Sequence, residues 1–144
     1  MSKKIVVLLT FVVVLIPASL FAAPAPLNLS AKSAILLVAS TGEVLYEKNA
    51  QAQQYPASTT KMMTIITALE DGNLNDMVTT SAHAANTEGS SMYLRPEERL
   101  RLQDMLYGVA LVSGNDAAVA VAEHLDGSVE RFAKRMTAKA HAIG

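Results

Sequence analysis

The sequence contains no cysteine, which excludes a disulfide framework and any thiolate-held metal site. Positive charge is not in excess either: 12 Lys and Arg stand against 13 Asp and Glu. Without a basic stripe, nucleic acid is not an expected partner. No apolar run reaches the ~20 residues that a bilayer-spanning helix needs; the longest, Ile5 to Ile16, is broken by Thr10. Internal repeats and low-complexity segments are also missing.

That one apolar run has the setting of a secretory signal peptide. Lys3 and Lys4 precede it, and Pro17 and the small-residue stretch "ASLFAAPAP" follow. A positive start, an apolar centre and small residues at the cut are the marks of such a signal. Residues 1–25 are assigned to it, with cleavage after Ala22, Ala23 or Ala25. A retained N-terminal anchor is the alternative, because the two share this pattern. Lys3 and Lys4 are the only charges lost, so 12 basic residues fall to 10 against 13 acidic ones, a net charge of about −3. Residues 26–144 can supply one modest domain, and without disulfides its stability must rest on a core.

"SAILLVASTGEVLYEKN" reads as a β-hairpin, with Ile35 to Val38 apolar, a Ser-Thr-Gly turn, and Val44 and Tyr46 alternating with polar neighbours. After the polar "AQAQQYP" the spacing predicts a helix over 57–70 that stops at Asp71-Gly72. "MVTTSAHA" has room for a short strand, and "NTEGSSMYLRPEE" is loop. From Leu100 the pattern turns helical, with Leu102, Met105, Leu106 and Val109 on one face. "SGND" interrupts; a second helix covers 117–125, and a third starts at Ser128 as N-cap and carries Phe132, Met136, Ala140 and Ile143. One hairpin and one short strand beside four helices leave the strands under-supplied, since a lone hairpin is marginal.

Within "YPASTTKMMT" a serine and a lysine lie three residues apart at the start of the first helix. At ~100° per residue, Ser58 is central on the apolar face, Ile65, Leu69 and Met62 lie within about 40° of it, and Lys61 is at its edge. Thr60, Thr64 and Thr67 fall on the opposite side and are expected at the back. A serine hydroxyl becomes a good nucleophile when a nearby base takes its proton, and a neutral lysine can be that base. Desolvation on a partly buried face lowers a lysine pKa toward neutrality. The first turn of a helix also favours developing negative charge. A lysine reaching past a capping serine to water fits the same residues.

Fifty-five residues on, Ser113-Gly114-Asn115-Asp116 separates two helices. Turn chemistry alone can account for it, with Gly114 ending one helix and Asn115 or Asp116 capping the next. The same turn can also aim a hydroxyl and a carboxamide into one cleft. His83, His124 and His141 show no ligand spacing and are read as surface residues. No metal and no cofactor is expected.

Ser-x-x-Lys followed by Ser-x-Asn resembles the penicillin-binding proteins and serine β-lactamases. "STGEVLYEKNA", "YPASTTKMMT", "GSSMYL" and "LVSGNDAAVAVAEHLDGS" narrow the likeness to the serine-type D-alanyl-D-alanine carboxypeptidases, the low-molecular-mass penicillin-binding proteins. It covers nearly all of residues 33 to 144. The resemblance implies an α/β fold, an α+β sandwich of the β-lactamase/transpeptidase kind, with the active site between a helical cluster and an antiparallel sheet. Carried over by position, Ser58 matches the acyl-forming nucleophile, Lys61 its general base, Ser113 the proton relay, and Asn115 the residue orienting substrate and lysine. The implied substrate is the D-alanine-terminated stem peptide of peptidoglycan, with β-lactams as covalent inhibitors. The implied location is the periplasm or the outer face of the cytoplasmic membrane.

The family's third motif, Lys-Thr-Gly or a variant on a sheet strand, does not occur in these 144 residues. In the family that strand supplies a second oxyanion donor, and losing such a donor typically costs ~10²–10³ in rate. The likeness therefore predicts that residues 26–144 are the N-terminal part of a longer catalytic domain, with the remaining strands and any membrane-associating helix outside this chain. Two rivals share some of these features. A class A β-lactamase would usually carry Ser-Asp-Asn where this chain has Ser-Gly-Asn. A non-catalytic, exported peptidoglycan-binding module would leave Ser58 and Lys61 dispensable.

Overall fold

The computed structural model describes residues 27–144; the stretch assigned to the signal peptide lies outside them. The described chain divides into two compact units, one ending at Ala52 and the other running from Gln53 to Gly144.

The first unit is the hairpin. β1 (Ala34–Leu37) pairs antiparallel with β2 (Val44–Lys48), Ala34 facing Lys48 and Leu36 facing Tyr46. The register then shifts so that Leu37 meets Val44, leaving Leu45 as the extra residue of a bulge. The turn closes through Val38 N–H to Glu43 C=O at 2.8 Å and Gly42 N–H to Val38 C=O at 2.8 Å. Upstream chain is tied to β2 by the Lys48 ammonium, which donates to the Leu29 carbonyl at 2.8 Å.

The second unit is mostly helical. α1 (Thr60–Asp71) is entered through a 3₁₀ turn at Ala57–Thr59, so the predicted helix begins more tightly wound than the spacing suggested. β3 (Met77–Thr79), α2 (Ala82–Ala85) and β4 (Arg99–Arg101) follow, and then α3 (Leu102–Leu111), α4 (Asn115–Asp126) and α5 (Val129–Ile143). β3 and β4 pair antiparallel with Val78 opposite Leu100. The strand at Met77–Thr79 is the one expected. Its partner overlaps the helix start expected at Leu100, and the short α2 falls at the end of "MVTTSAHA", where only a strand is expected. Three residues, Arg-Leu-Arg, are too few to display a strand period, and pairing with Met77–Thr79 makes them extended.

α4 is central, packing against α1, α2, α3, α5 and β3. Its buried Ala117, Ala120 and Val121 recur at helical spacing, and two of the three are alanines, which lets neighbours approach closely. α3 contributes Leu102, Met105, Leu106 and Val109, the face its periodicity marks. α5 inserts Phe132, 1% exposed, and its Ser128 caps the first turn by accepting from Arg131 N–H at 3.2 Å. Full burial of an aromatic of this size stabilises by roughly 1.5–3 kcal/mol. Gly72 ends α1 as predicted but with φ −97°, not left-handed. Glycine is needed there for space, because a Cβ would lie 2.6 Å from the Leu102 side chain.

The helical wheel of α1 is reversed in one respect. Thr64 and Thr67, expected at the back, are buried, whereas Met62 and Leu69 are 62% and 54% exposed. α5 covers the threonine side, where the Thr64 hydroxyl donates to Met136 Sδ at 3.5 Å. Threonine's methyl tolerates this packing. The apolar side, with Ser58 near its centre, looks into a cleft rather than a core.

Candidate active site

Local backbone geometry sets the nucleophile's position. Ala57, just after Pro56, takes φ 49°, and the 3₁₀ turn that follows holds Ser58 exposed at the mouth of the cleft. Lys61 lies one turn further along, half-buried. Among the described residues no carboxylate forms an ion pair with it.

The opposite wall is the link between α3 and α4. Val112 ends α3. Ser113, not Gly114, adopts the left-handed conformation, with φ 58°. Gly114 has φ −58°, and a Cβ on it would sit 2.9 Å from Asp116 Oδ1. The glycine is thus reserved for close approach, and the serine takes the strained position. A non-glycine residue there costs about 1–2 kcal/mol, and such strain persists where surrounding structure over-determines it.

Across the cleft the four residues meet as crossed pairs. Ser113 Oγ donates to Ser58 Oγ at 2.9 Å, and Lys61 Nζ donates to Asn115 Oδ1 at 2.6 Å. No hydrogen bond joins Ser58 directly to Lys61 among the described residues; such contacts often tighten only with substrate bound. The cleft has a volume of about 310 Å³, and Met62, Ile65 and Val109 line it beside Ser58, Lys61 and Ser113.

Asn115 is itself gripped. Its backbone N–H donates to Ser90 C=O at 2.7 Å and its Nδ2 to Glu88 C=O at 2.7 Å. Since a carbonyl only accepts, the amide nitrogen must face Glu88, and Oδ1 is left for Lys61. Asp116, absent from the sequence-level set of functional residues, is fully buried. Its carboxylate accepts from Ser91 Oγ at 2.7 Å, Met92 N–H at 3.1 Å, Leu94 N–H at 3.0 Å and Ala117 N–H at 2.9 Å. Burial pushes this carboxyl's pKa up, but the four donors outweigh it and hold the pKa below the ordinary aspartate value. The signal available in sequence was only adjacency to Asn115, and neither residue is the helix cap expected of it: Gly114 occupies that position.

The histidines stand apart from the cleft. His83 Nδ1 pairs with Glu123 at 2.7 Å, and His124 Nε2 faces Asp76 at 3.6 Å. A wider depression of about 500 Å³ beside Tyr93, Arg95 and Glu97 gathers no nucleophile and base.

With this geometry in place, comparison with known proteins is informative. The sequence pattern of the family described as D-alanyl-D-alanine carboxypeptidase matches residues 20–144. The chain is 48% identical over 119 residues to the D-alanyl-D-alanine carboxypeptidase DacF of Bacillus subtilis, covering 79% of this chain and 31% of that protein. It is 40% identical over 119 residues to DacA of Haemophilus influenzae, covering 77% and 30% respectively. Among solved structures, penicillin binding protein 5 from Haemophilus influenzae superimposes with a TM-score of 0.77 at 35% identity, over 85% of this chain and 38% of that one. The chain spans about a third of the length of the curated relatives it matches.

Proposed function

Because the chain belongs to the D-alanyl-D-alanine carboxypeptidase family, we propose that it carries the nucleophile, base and relay of a serine carboxypeptidase that removes the terminal D-alanine from peptidoglycan stem peptides. The observation that supports this most directly is the pair of crossed contacts, Ser113 to Ser58 and Lys61 to Asn115, in one apolar-walled cleft.

In this reading Ser58 Oγ attacks the carbonyl carbon of the D-alanyl-D-alanine peptide bond. Its proton passes to Lys61 Nζ, the base of this reading. A neutral amine keeps two N–H bonds and one lone pair; Asn115 Oδ1 takes one N–H, which leaves the lone pair free to turn toward Ser58. The Ser58 N–H stabilises the developing oxyanion. As the tetrahedral intermediate collapses, Ser113 Oγ–H protonates the leaving amine and is replenished from Lys61. The Ser58 ester is then hydrolysed by water, with the proton transfers reversed. A β-lactam would open by the same attack and remain as a stable ester.

Export and residence in the periplasm or at the outer face of the cytoplasmic membrane, with a part in cell-wall maturation and cell shape, belong to the same proposal. Export is supported by the charge and hydropathy pattern of residues 1–25, and the part in the cell wall by membership of the family.

Labelling with a fluorescent penicillin, read by intact mass, tests the reading. The expected result is a covalent adduct at Ser58 that is missing in Ser58→Ala. An unlabelled wild-type chain, or an adduct that persists in Ser58→Ala, refutes it. Rapid turnover of the penicillin would move the assignment to a serine β-lactamase.

A further inference from the structure

Asn115 can serve Lys61 only if its amide points one way round. Rotated by half a turn it would present an NH₂ group, which opposes the amine's N–H bonds or occupies the lone pair that must take the Ser58 proton. The contact that prevents this is Glu88 C=O, which takes Nδ2 at 2.7 Å. Glu88 itself lies in an exposed loop, outside any strand or helix, so something must hold that carbonyl in place.

The anchor is one residue along from Asn115. The Asp116 carboxylate gathers the Ser91 hydroxyl and the Met92 and Leu94 amides from the same loop, and Ser91 Oγ accepts in turn from Tyr93 N–H at 2.8 Å. Together with Asn115 N–H on Ser90 C=O at 2.7 Å, these bonds wrap residues 88–94 around the first turn of α4. No Lys or Arg pairs with Asp116 among the described residues. The loop's own donors and the helix N-terminus therefore carry its charge, and loop and carboxylate depend on each other. Gly89 completes the fit: at φ +100°, a Cβ there would stand 2.5 Å from Asn115 Nδ2.

We propose that Asp116 is a positioning residue: its buried carboxylate fixes the 88–94 loop, and the loop, through Glu88 C=O, fixes the orientation of the Asn115 amide that meets Lys61. A consequence for acylation rests on the function proposed above; the positioning itself does not.

Two measurements on the full chain separate the two. The first is hydrogen exchange of the Asn115 side-chain amide by NMR, in wild type and Asp116→Asn. Loss of a bond worth about 1–1.5 kcal/mol is expected to speed exchange about tenfold, while the backbone amide of Phe132 in α5 keeps its protection. Unchanged exchange at Asn115 overturns the proposal. If Asp116→Asn does not fold, Ser91→Ala removes one of the four donors and is expected to speed the same exchange several-fold; no change there overturns it equally. The second is the second-order rate of penicillin acylation. Misplacement of the Asn115–Lys61 contact is expected to slow it on the order of 10²-fold, and the effect of Asp116→Asn should vanish in an Asn115→Ala background. Additive effects would mean that Asp116 acts on stability alone and would overturn the proposal. A wild-type chain that is not acylated removes the proposed function and leaves amide exchange to decide the positioning.

Discussion

Ser113 carries two separable burdens, a hydroxyl 2.9 Å from Ser58 and a left-handed backbone at φ 58°. Replacing it with alanine removes the hydroxyl and keeps the strain. Replacing it with glycine removes both. The left-handed conformation costs a side-chain-bearing residue about 1–2 kcal/mol, and glycine's greater freedom in the unfolded chain offsets about 0.4–1 kcal/mol of the relief. Ser113→Gly should therefore be more stable than Ser113→Ala by roughly 0.5–1 kcal/mol, a difference of about 2–5 °C in Tm for a chain of this size. Acylation should fall equally in the two, by about 10²–10⁴, the usual contribution of a positioned proton-transfer group. Thermal unfolding followed by circular dichroism, together with the rate of fluorescent penicillin labelling, reads both quantities. An alanine variant that melts at or above the glycine variant refutes the strain argument. Labelling near the wild-type rate in either variant refutes the relay, and a tenfold gap between their rates would show that backbone geometry, not the hydroxyl, is what matters.

Lys61→Arg keeps a long nitrogen-bearing side chain but supplies no neutral base, so penicillin labelling should drop at least 10³-fold; retained labelling would end the base assignment. Gly89→Ala forces a Cβ toward Asn115 at a positive φ and should slow labelling about tenfold and destabilise by about 1–2 kcal/mol, measurable by urea titration. Asp116 has a folded pKa below its unfolded value. Between the two the unfolded state binds more protons, so stability rises with pH there. Its contribution is complete above the ordinary aspartate value of about 3.9 and is lost as pH falls through the folded pKa. Urea midpoints from pH 5 down to pH 2 should fall more steeply for wild type than for Asp116→Asn, and equal slopes would remove Asp116 as the source.

Sequence patterns revealed most where periodicity is long. The face of α3 from Leu102 to Val109, the Ser128 cap and the hairpin turn all follow from spacing and turn chemistry that a few residues display locally. β4 has three residues, two of them arginines, and becomes a strand only because Met77–Thr79 lies beside it. The wheel of α1 found the face that carries Ser58 and Lys61 but assigned the threonines to the outside. A wheel reports which residues share a side, not what covers that side, and here α5 covers the threonines. The motifs placed Ser58, Lys61, Ser113 and Asn115 in one cleft, yet gave no hint that Ser113 would take the left-handed turn ahead of Gly114. That choice follows from the proximity of Gly114 to Asp116, a contact no local pattern encodes. For the same reason Asp116, read only as a cap, could not be seen as the hub of a loop more than twenty residues earlier.

The neighbouring placement of Asn115 and Asp116 also bears on how such a chain can change over generations. Successive residues on α4 are ~100° apart around the axis, so one looks into the cleft and the next into the loop that frames it. One codon inserted or deleted at this point would turn both away together, whereas a substitution can disturb either one alone. The two positions are thus expected to drift by replacement and almost never by a change in length. Any length variation among descendants of this sequence should collect elsewhere, in the polar stretch around Asn49 to Gln54 before it collects between Ser113 and Ala117.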